Sequence, residues 1–193
     1  MGQSWGGKGT ISSKDDKSVA GAFKRLFGGA RSAVNAMTGE DVDIDSTVAL
    51  VDSANRVKET IYYGNRRSNN GAVVHAGDDL TGRNKQGVYD NEEITIDLSK
   101  VAPEIQQVIV LSNIYNARSR GQHYGQVDSY IRILKADNRE ELVRYNLDDD
   151  YSGMTAMIGG VFYRHHYEWK FRAVGAGSKD GSISSALNTF LRG

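Results

Sequence analysis

The chain has 193 residues, of which 39% are hydrophobic and 25% are charged, and this composition supports one folded core rather than disorder throughout. Lys plus Arg and Asp plus Glu both total 24, so the formal net charge is zero, which argues against general nucleic-acid binding through clustered positive charge. The sequence contains no cysteine, which excludes disulfides, zinc–thiolate sites and a cysteine nucleophile.

The first 40 residues differ in pattern from the rest of the chain. Residues 1–16 are rich in Gly, Ser, Lys and Asp, which predicts a flexible segment. Between residues 17 and 37, apolar residues recur at steps of three and four, which predicts an amphipathic helix interrupted by Gly28 and Gly29. This N-terminal helical extension would pack on the domain that follows, dock on a partner or lie on a membrane surface. The apolar stripe consists of Val19, Phe23, Leu26, Phe27, Ala30, Val34 and Met37.

From residue 41 the pattern becomes that of short strands. Ile94, Ile96 and Leu98 alternate with polar residues, which indicates a half-buried strand, and 108–111 is a continuous apolar run typical of a sandwich centre. Similar runs, separated by Gly- and Asn-containing turns, lie at 42–51, 57–63, 72–75, 130–134, 142–147, 161–163 and 169–173. Many short strands at close spacing predict a mainly β, two-sheet β-sandwich over residues 41–193, with a short terminal helix at 183–191.

Two segments of the chain concentrate carboxylates. Asp41, Asp43 and Asp45 alternate with apolar residues, so on a strand their side chains share one face, roughly 6.6 Å apart. Residues 75–93 contain an excess of acidic over basic residues, in a loop that also supplies Gly and Asn. Carboxylates gathered so closely repel one another, and Ca2+, which takes about six to eight oxygen ligands, would relieve that repulsion. The alternative is that each acid only solvates its loop.

The order of these motifs resembles the TerD/TerZ-like family of tellurium-resistance and general stress proteins. The matching motifs are Asp43-Ile44-Asp45, residues 75–82 with the pattern His-Ala-Gly-Asp-Asp-Leu-Thr-Gly, Asp90-Asn91-Glu92 before a strand, Tyr163-Arg164, and residues 169–175 with the pattern Trp-Lys-Phe-Arg-Ala-Val-Gly. The resemblance covers roughly residues 41–190. It implies a β-sandwich of TerD type that binds calcium (Ca2+), with candidate ligands Asp43, Asp45, Asp78, Asp79, Asp90, Asn91 and Glu92.

Three departures from the family pattern bear on the metal site. Asp79 stands where the family usually has Asn, and Asn91 stands where it has Asp. The connection 83–89 is longer than usual and lacks an acidic Gly-Asp-Gly pattern, so one of two ion sites would be weakened or absent. In the first 40 residues the short strand and Gly-Trp segment usual in the family are not evident, so the resemblance assigns nothing there.

Location and partners are expectations from two sources. The sequence shows neither a hydrophobic leader nor an apolar run near the roughly 20 residues of a membrane span, so we expect a cytoplasmic protein. The resemblance implies a stress-response module linked to tellurite and to phage or toxin defence. Its partners would be other Ter-type proteins or further copies of the chain, including peripheral complexes at the inner face of the membrane, with no nucleic acid and no small-molecule substrate.

Catalysis is not expected, since no serine-nucleophile motif or dinucleotide-binding loop occurs. One alternative is a metal-dependent phosphohydrolase that uses the same acids, with Arg83 and Lys85 as the basic groups for phosphate. Another is a structural or virion assembly component that borrowed the domain. His75 precedes the acidic loop and would either orient a carboxylate or serve a purely structural role.

Overall fold

β-branched and aromatic residues in short alternating runs form two packed antiparallel sheets. The computed structural model describes residues 22–28, 42–78, 90–126, 130–147 and 149–193. Within those residues, sheet A contains β2 (Ile44–Asp52), β3 (Val57–Ile61), β6 (Ile105–Ile114), β9 (Ala156–His165) and β10 (Glu168–Ser178), in the order β10-β9-β6-β2-β3. Sheet B contains β1 (Ala22–Gly28), β4 (Val73–Asp78), β5 (Asp90–Asp97), β7 (Tyr130–Lys135) and β8 (Glu141–Asn146), in the order β4-β5-β1-β7-β8. The mainly β, two-sheet prediction is confirmed.

Helical segments are short and lie between or after the strands. The α-helices are α1 (Ala117–Arg120) and α2 (Ile183–Arg192), and 3-10 turns occupy Leu98–Lys100, Tyr124–Gln126 and Asp149–Tyr151. The side chain of Ser182 caps the N-terminus of α2 by accepting a hydrogen bond from the Ser185 backbone. The terminal helix predicted at 183–191 is thus confirmed. Among the described residues, no helix combines the length and apolar character needed to cross a membrane.

The predicted helix over 17–37 is wrong for residues 22–28, which form strand β1. β1 pairs with β5 on one side and with β7 on the other, so it lies in the centre of sheet B. Three-and-four spacing of apolar residues favours a helix locally, but pairing on both edges satisfies the backbone of a strand at this position. These residues of the predicted extension therefore belong to the sandwich. The remainder of 17–37 and residues 1–16 lie outside the described residues.

Alternation along β2 assigns its residues to two different cores. Val48 and Leu50 are buried between the sheets, whereas Ala49 and Val51 are buried on the outer face of sheet A, in the cluster that includes Leu187 of α2. Successive side chains on a strand point to opposite faces. Even-numbered residues of β2 therefore point inward, and odd-numbered ones point outward.

Replacement of two adjacent glycines in β9 will test this packing. A Cβ on Gly160 would lie 2.6 Å from ring carbons of Phe171 and 3.1 Å from the carbonyl oxygen of Arg172, whereas a Cβ on Gly159 meets nothing closer than 3.6 Å. Phe171 also packs on Phe162, with ring centroids 4.9 Å apart. Because overpacking costs about 1–3 kcal/mol, we expect Gly160→Ala to lower the free energy of unfolding by that amount in urea titration. Gly159→Ala is the matched control, and an equal loss in both variants would contradict the packing described.

Candidate functional site

The acidic segments predicted to hold a metal meet at one end of the sandwich. Asp78 at the end of β4 is the cross-strand partner of Glu92 in β5, and Asp90 opens the same strand. The backbone N–H of Ser46, near the start of β2, donates a hydrogen bond to Glu92 Oε2 at 2.7 Å. This bond joins the two sheets and brings together segments that are far apart in the chain. We call this region the acidic end, and it comprises Asp43, Asp45, Asp78, Asp90, Asn91 and Glu92.

Glu92 directs its carboxylate into the sandwich interior. The residue is 4% exposed, and its Oε2 accepts hydrogen bonds from both the backbone N–H and the hydroxyl of Ser46, which is fully buried. A carboxylate taken out of water loses its hydration, and charge-assisted hydrogen bonds replace part of it. Glu92 is thus held in place by Ser46 and serves as a link between the sheets.

His75 lies on the other side of this carboxylate. Its Nδ1 accepts a hydrogen bond from the Gly77 backbone N–H at 3.0 Å, so we assign the proton of the neutral ring to Nε2. Nε2 lies 3.9 Å from Glu92 Oε2, and both residues are buried. The imidazole therefore lies beside the carboxylate, and its role in orienting that carboxylate stays a prediction.

Asp43 and Asp45 face away from Glu92. Alternation along β2 directs Ser46 inward and Asp45 outward, and Asp45 is only 5% exposed. The cross-strand partner of Asp45 is Asn113 in β6, and the backbone N–H of Tyr115 donates to the carbonyl oxygen of Asp43 at 2.8 Å. The structure therefore brings the predicted segments together but divides their carboxylates between the two faces of β2.

The described donors suit a hard cation, although they do not by themselves form a complete site. Carboxylate and amide oxygens are the ligands that Ca2+ prefers. Among the residues that the structure describes, no three His, Cys, Asp or Glu side chains lie close enough together to hold a metal ion. Asp79 lies outside the described residues, and the seven-residue ligand set stays a prediction.

Two residues that shape the acidic end were missed from the sequence. Ser46 continues the inward alternation of Val42 and Ile44, so the sequence pattern predicts that its side chain points inward. The pattern does not predict its hydrogen bond to Glu92. Arg66 reaches the acidic end from the segment before β4: a Cβ on Gly77 would lie 3.2 Å from Arg66 Nη1. This guanidinium is positioned by backbone pairing in the folded chain, and no residue spacing in the sequence predicts its position.

Comparison with known proteins identifies the family. The family model described as the TerD domain matches residues 16–190 of this chain. Stress response protein SCP2 of Bacillus subtilis (strain 168) is 36% identical over 177 residues, which cover 90% of this chain and 83% of that protein. Tellurium resistance protein TerD of Serratia marcescens is 38% identical over 170 residues, which cover 86% of this chain and 87% of that protein. The chain belongs to the TerD domain family.

Membership in the TerD family confirms the resemblance drawn from the motifs. General stress protein 16U of Bacillus subtilis (strain 168) is 41% identical over 158 residues, which cover 80% of each protein. The crystal structure of a homologue of telluride resistance protein TerD from Streptomyces coelicolor A3(2) shares the fold, with a TM-score of 0.70 at 20% identity over 87% of this chain and 96% of that chain. The chain is therefore a member of the tellurium-resistance and stress-response family.

A double-mutant cycle will measure the link between Ser46 and Glu92. Hydrogen bonds to charged groups contribute roughly 1.5–3 kcal/mol, and neutral ones about 1 kcal/mol. We therefore expect Ser46→Ala, which removes the hydroxyl donor but keeps the backbone N–H, and Glu92→Gln, which replaces the charged acceptor by a neutral amide oxygen, each to destabilise the fold by about 1–2 kcal/mol. The combined variant should lose less than the sum, by about 0.5–3 kcal/mol, as measured by urea unfolding.

Ser68 provides the matched control for this cycle. It is also a buried serine, but it bonds to Val73 and Asn70 instead of Glu92. Ser68→Ala and Glu92→Gln should therefore be additive. Additive losses for Ser46 and Glu92 would show that the two side chains act independently.

Proposed function

We propose that this TerD-family protein is a calcium-binding, non-catalytic module of a stress response, and that its acidic end holds Ca2+. The observation that carries the proposal is the meeting of Asp78, Asp90 and Glu92 with the start of β2 at one end of the sandwich. Acidic residues whose backbones lie this close together favour the binding of a divalent cation, because like charges repel one another. The candidate ligands are Asp43, Asp45, Asp78, Asp79, Asp90, Asn91 and Glu92.

Calcium would neutralise the acidic end and stabilise the folded state. When bound, the ion would supply positive charge and about six to eight coordination positions for oxygen ligands. Ser46 fixes the direction of Glu92 from inside the sandwich, and His75 Nε2 lies 3.9 Å from the same carboxylate. Gly77 lies at the irregularity in the β4–β5 pairing between His75 and Asp78, where its φ of +106° is one that residues other than glycine rarely adopt.

The proposed biological role is to bind other proteins rather than to react with tellurite. Relatives of this chain are named for tellurium resistance and for stress response. The chain has no cysteine, so its own thiols cannot reduce or bind tellurite. We therefore propose that it acts in the cytoplasm, including at the inner face of the membrane, through other Ter-type proteins or further copies of itself, in tellurite tolerance and phage or toxin defence.

Calcium titration will test the metal. We expect isothermal calorimetry to detect Ca2+ binding to the wild-type chain, and Asp78→Ala to weaken it at least tenfold, because a charged ligand is removed. At a free Ca2+ concentration of 100 times Kd, the folded state should gain about 2.7 kcal/mol, which EDTA would reverse in a thermal melt.

Asp97→Asn is the matched control for calcium binding. Asp97 is also an aspartate of β5, but it lies at the far end of the strand and pairs with Lys100 and Ser99. Its replacement should leave the calcium affinity unchanged. Absence of both binding heat and a thermal shift in the wild-type chain would contradict the calcium proposal.

The alternative of a phosphohydrolase gains one supporting observation. Arg66 lies beside Gly77, immediately before Asp78, so its guanidinium is a basic group close to the acidic end. Arg83 and Lys85, the basic groups considered from the sequence, lie outside the described residues. A metal with a nearby guanidinium is an arrangement that phosphoryl transfer can use. Assay of p-nitrophenyl phosphate with Ca2+, Mg2+ or Mn2+ will decide between the two functions. We expect no turnover, and turnover that is lost in both Asp78→Ala and Arg66→Ala would favour the enzyme.

A further inference from the structure

The turn between β9 and β10 carries two adjacent histidines. His165 is the last residue of β9 and its cross-strand partner is Glu168, so the turn itself consists of His166 and Tyr167 alone. We call His165 and His166 the histidine tip. The calcium proposal above uses neither residue.

Strand pairing separates the histidine tip from the proposed calcium ligands. Close to the tip, Tyr163 of β9 pairs with Gln107 of β6, and Gln107 pairs with Val51 near the end of β2. Asp45 lies near the start of β2, roughly 20 Å from Val51 along an extended strand. The tip therefore lies at the opposite end of the sandwich from the acidic end.

The two imidazole rings of the histidine tip lie against each other. Their centroids are 4.3 Å apart and their planes are perpendicular, at 90°. Successive side chains on a regular strand point to opposite faces, so strand geometry alone would keep these rings apart. His166 has a left-handed backbone with φ of 56°, as the first residue of a two-residue hairpin turn requires, and this conformation brings the rings together.

Both imidazoles are open to solvent and to ligands. His165 and His166 are exposed, and Tyr167 beside them is fully exposed. Within the part of the chain that the structure describes, neither ring takes part in a hydrogen bond or an ion pair, and each contacts the other. The ring nitrogens are therefore available to an ion from solution.

The distance between the rings suits chelation of one metal ion. Imidazole nitrogens bind Zn2+, Ni2+ and Cu2+, with metal–nitrogen bonds of about 2.0–2.1 Å for zinc. Two imidazoles in adjacent coordination positions of one ion have centroids about 4.5–5 Å apart by that bond length, close to the 4.3 Å at the histidine tip. Small rotations of the two exposed side chains would therefore direct one nitrogen of each ring to the same ion.

We propose that the histidine tip binds a divalent transition-metal ion of the Zn2+, Ni2+ and Cu2+ class through one nitrogen of His165 and one of His166. In the described part of the chain, no third His, Cys, Asp or Glu lies close enough to share the ion, so water fills its remaining coordination positions. This site goes beyond the calcium function, because its ligands are nitrogen rather than oxygen and its ion is softer than Ca2+.

Titration of the full-length chain with Ni2+ will test this inference. Bound Ni2+ is paramagnetic, so at substoichiometric Ni2+ we expect the imidazole NMR signals of His165 and His166 to broaden before that of His123. Calorimetry should detect the same binding, and His165→Gln and His166→Asn should each weaken it roughly tenfold or more, since even the outer partners of metal ligands typically contribute that much. Asparagine is the replacement at 166 because it tolerates the left-handed backbone.

His123→Gln is the matched control for the nickel titration. His123 is also partly exposed, but its Nδ1 accepts a hydrogen bond from the Gly153 backbone N–H at 3.2 Å, and its replacement should leave the Ni2+ affinity unchanged. Absence of Ni2+ binding, equal weakening in all three variants, or broadening that begins at His123 would overturn the inference. If a variant fails to fold by circular dichroism, the order of broadening in the wild-type chain still decides.

The calcium and nickel experiments fail independently of one another. Asp78→Ala removes a proposed calcium ligand from β4 and leaves the histidine tip intact, so it should bind Ni2+ like the wild-type chain. Broadening at the tip without any calcium heat would remove the calcium proposal alone. Calcium heat without broadening of the His165 and His166 signals by Ni2+ would remove this inference alone.

Discussion

The buried carboxylate of Glu92 is the constraint on which the acidic end depends. A charged group in a protein interior is tolerated only when hydrogen bonds replace its hydration. Ser46 supplies a backbone N–H and a hydroxyl from the opposite sheet, and His75 faces the same oxygen from β4. Three strands are thereby fixed relative to one another at the point where the acidic segments converge. An apolar residue at position 92 would leave Ser46 without its acceptor and the strands without this link.

The same strand carries two kinds of surface because its side chains alternate. Ser46 turns inward to Glu92, whereas Asp43 and Asp45 turn outward beside Asn113. The Asp-Ile-Asp-Ser motif therefore directs side chains to both faces of sheet A. This division places the Asp45 carboxylate on a different face of β2 from the Ser46 side chain that holds Glu92.

Much of the fold was predictable because its strands alternate in a regular way, as Ile94 and Ile96 do, and because the order of acidic motifs is specific to one family. The strand at 22–28 was not, since its spacing fits a helix and only its pairing with β5 and β7 selects the extended form. The convergence of Asp78 with Glu92 followed from family motifs, but the inward direction of Glu92 and the approach of Arg66 to Gly77 depend on contacts between distant segments. Local pattern does not encode such contacts.

The central position of β1 in sheet B has a consequence for how the chain reaches its folded state. β1 is made before both of its neighbours, since β5 begins at Asp90 and β7 at Tyr130. Synthesis must therefore pass Asp97 before one edge of β1 can be covered and Lys135 before both can, and pairing over such long sequence separations is slow. Until then β1 presents unpaired edges, which are a hazard for aggregation of the nascent chain.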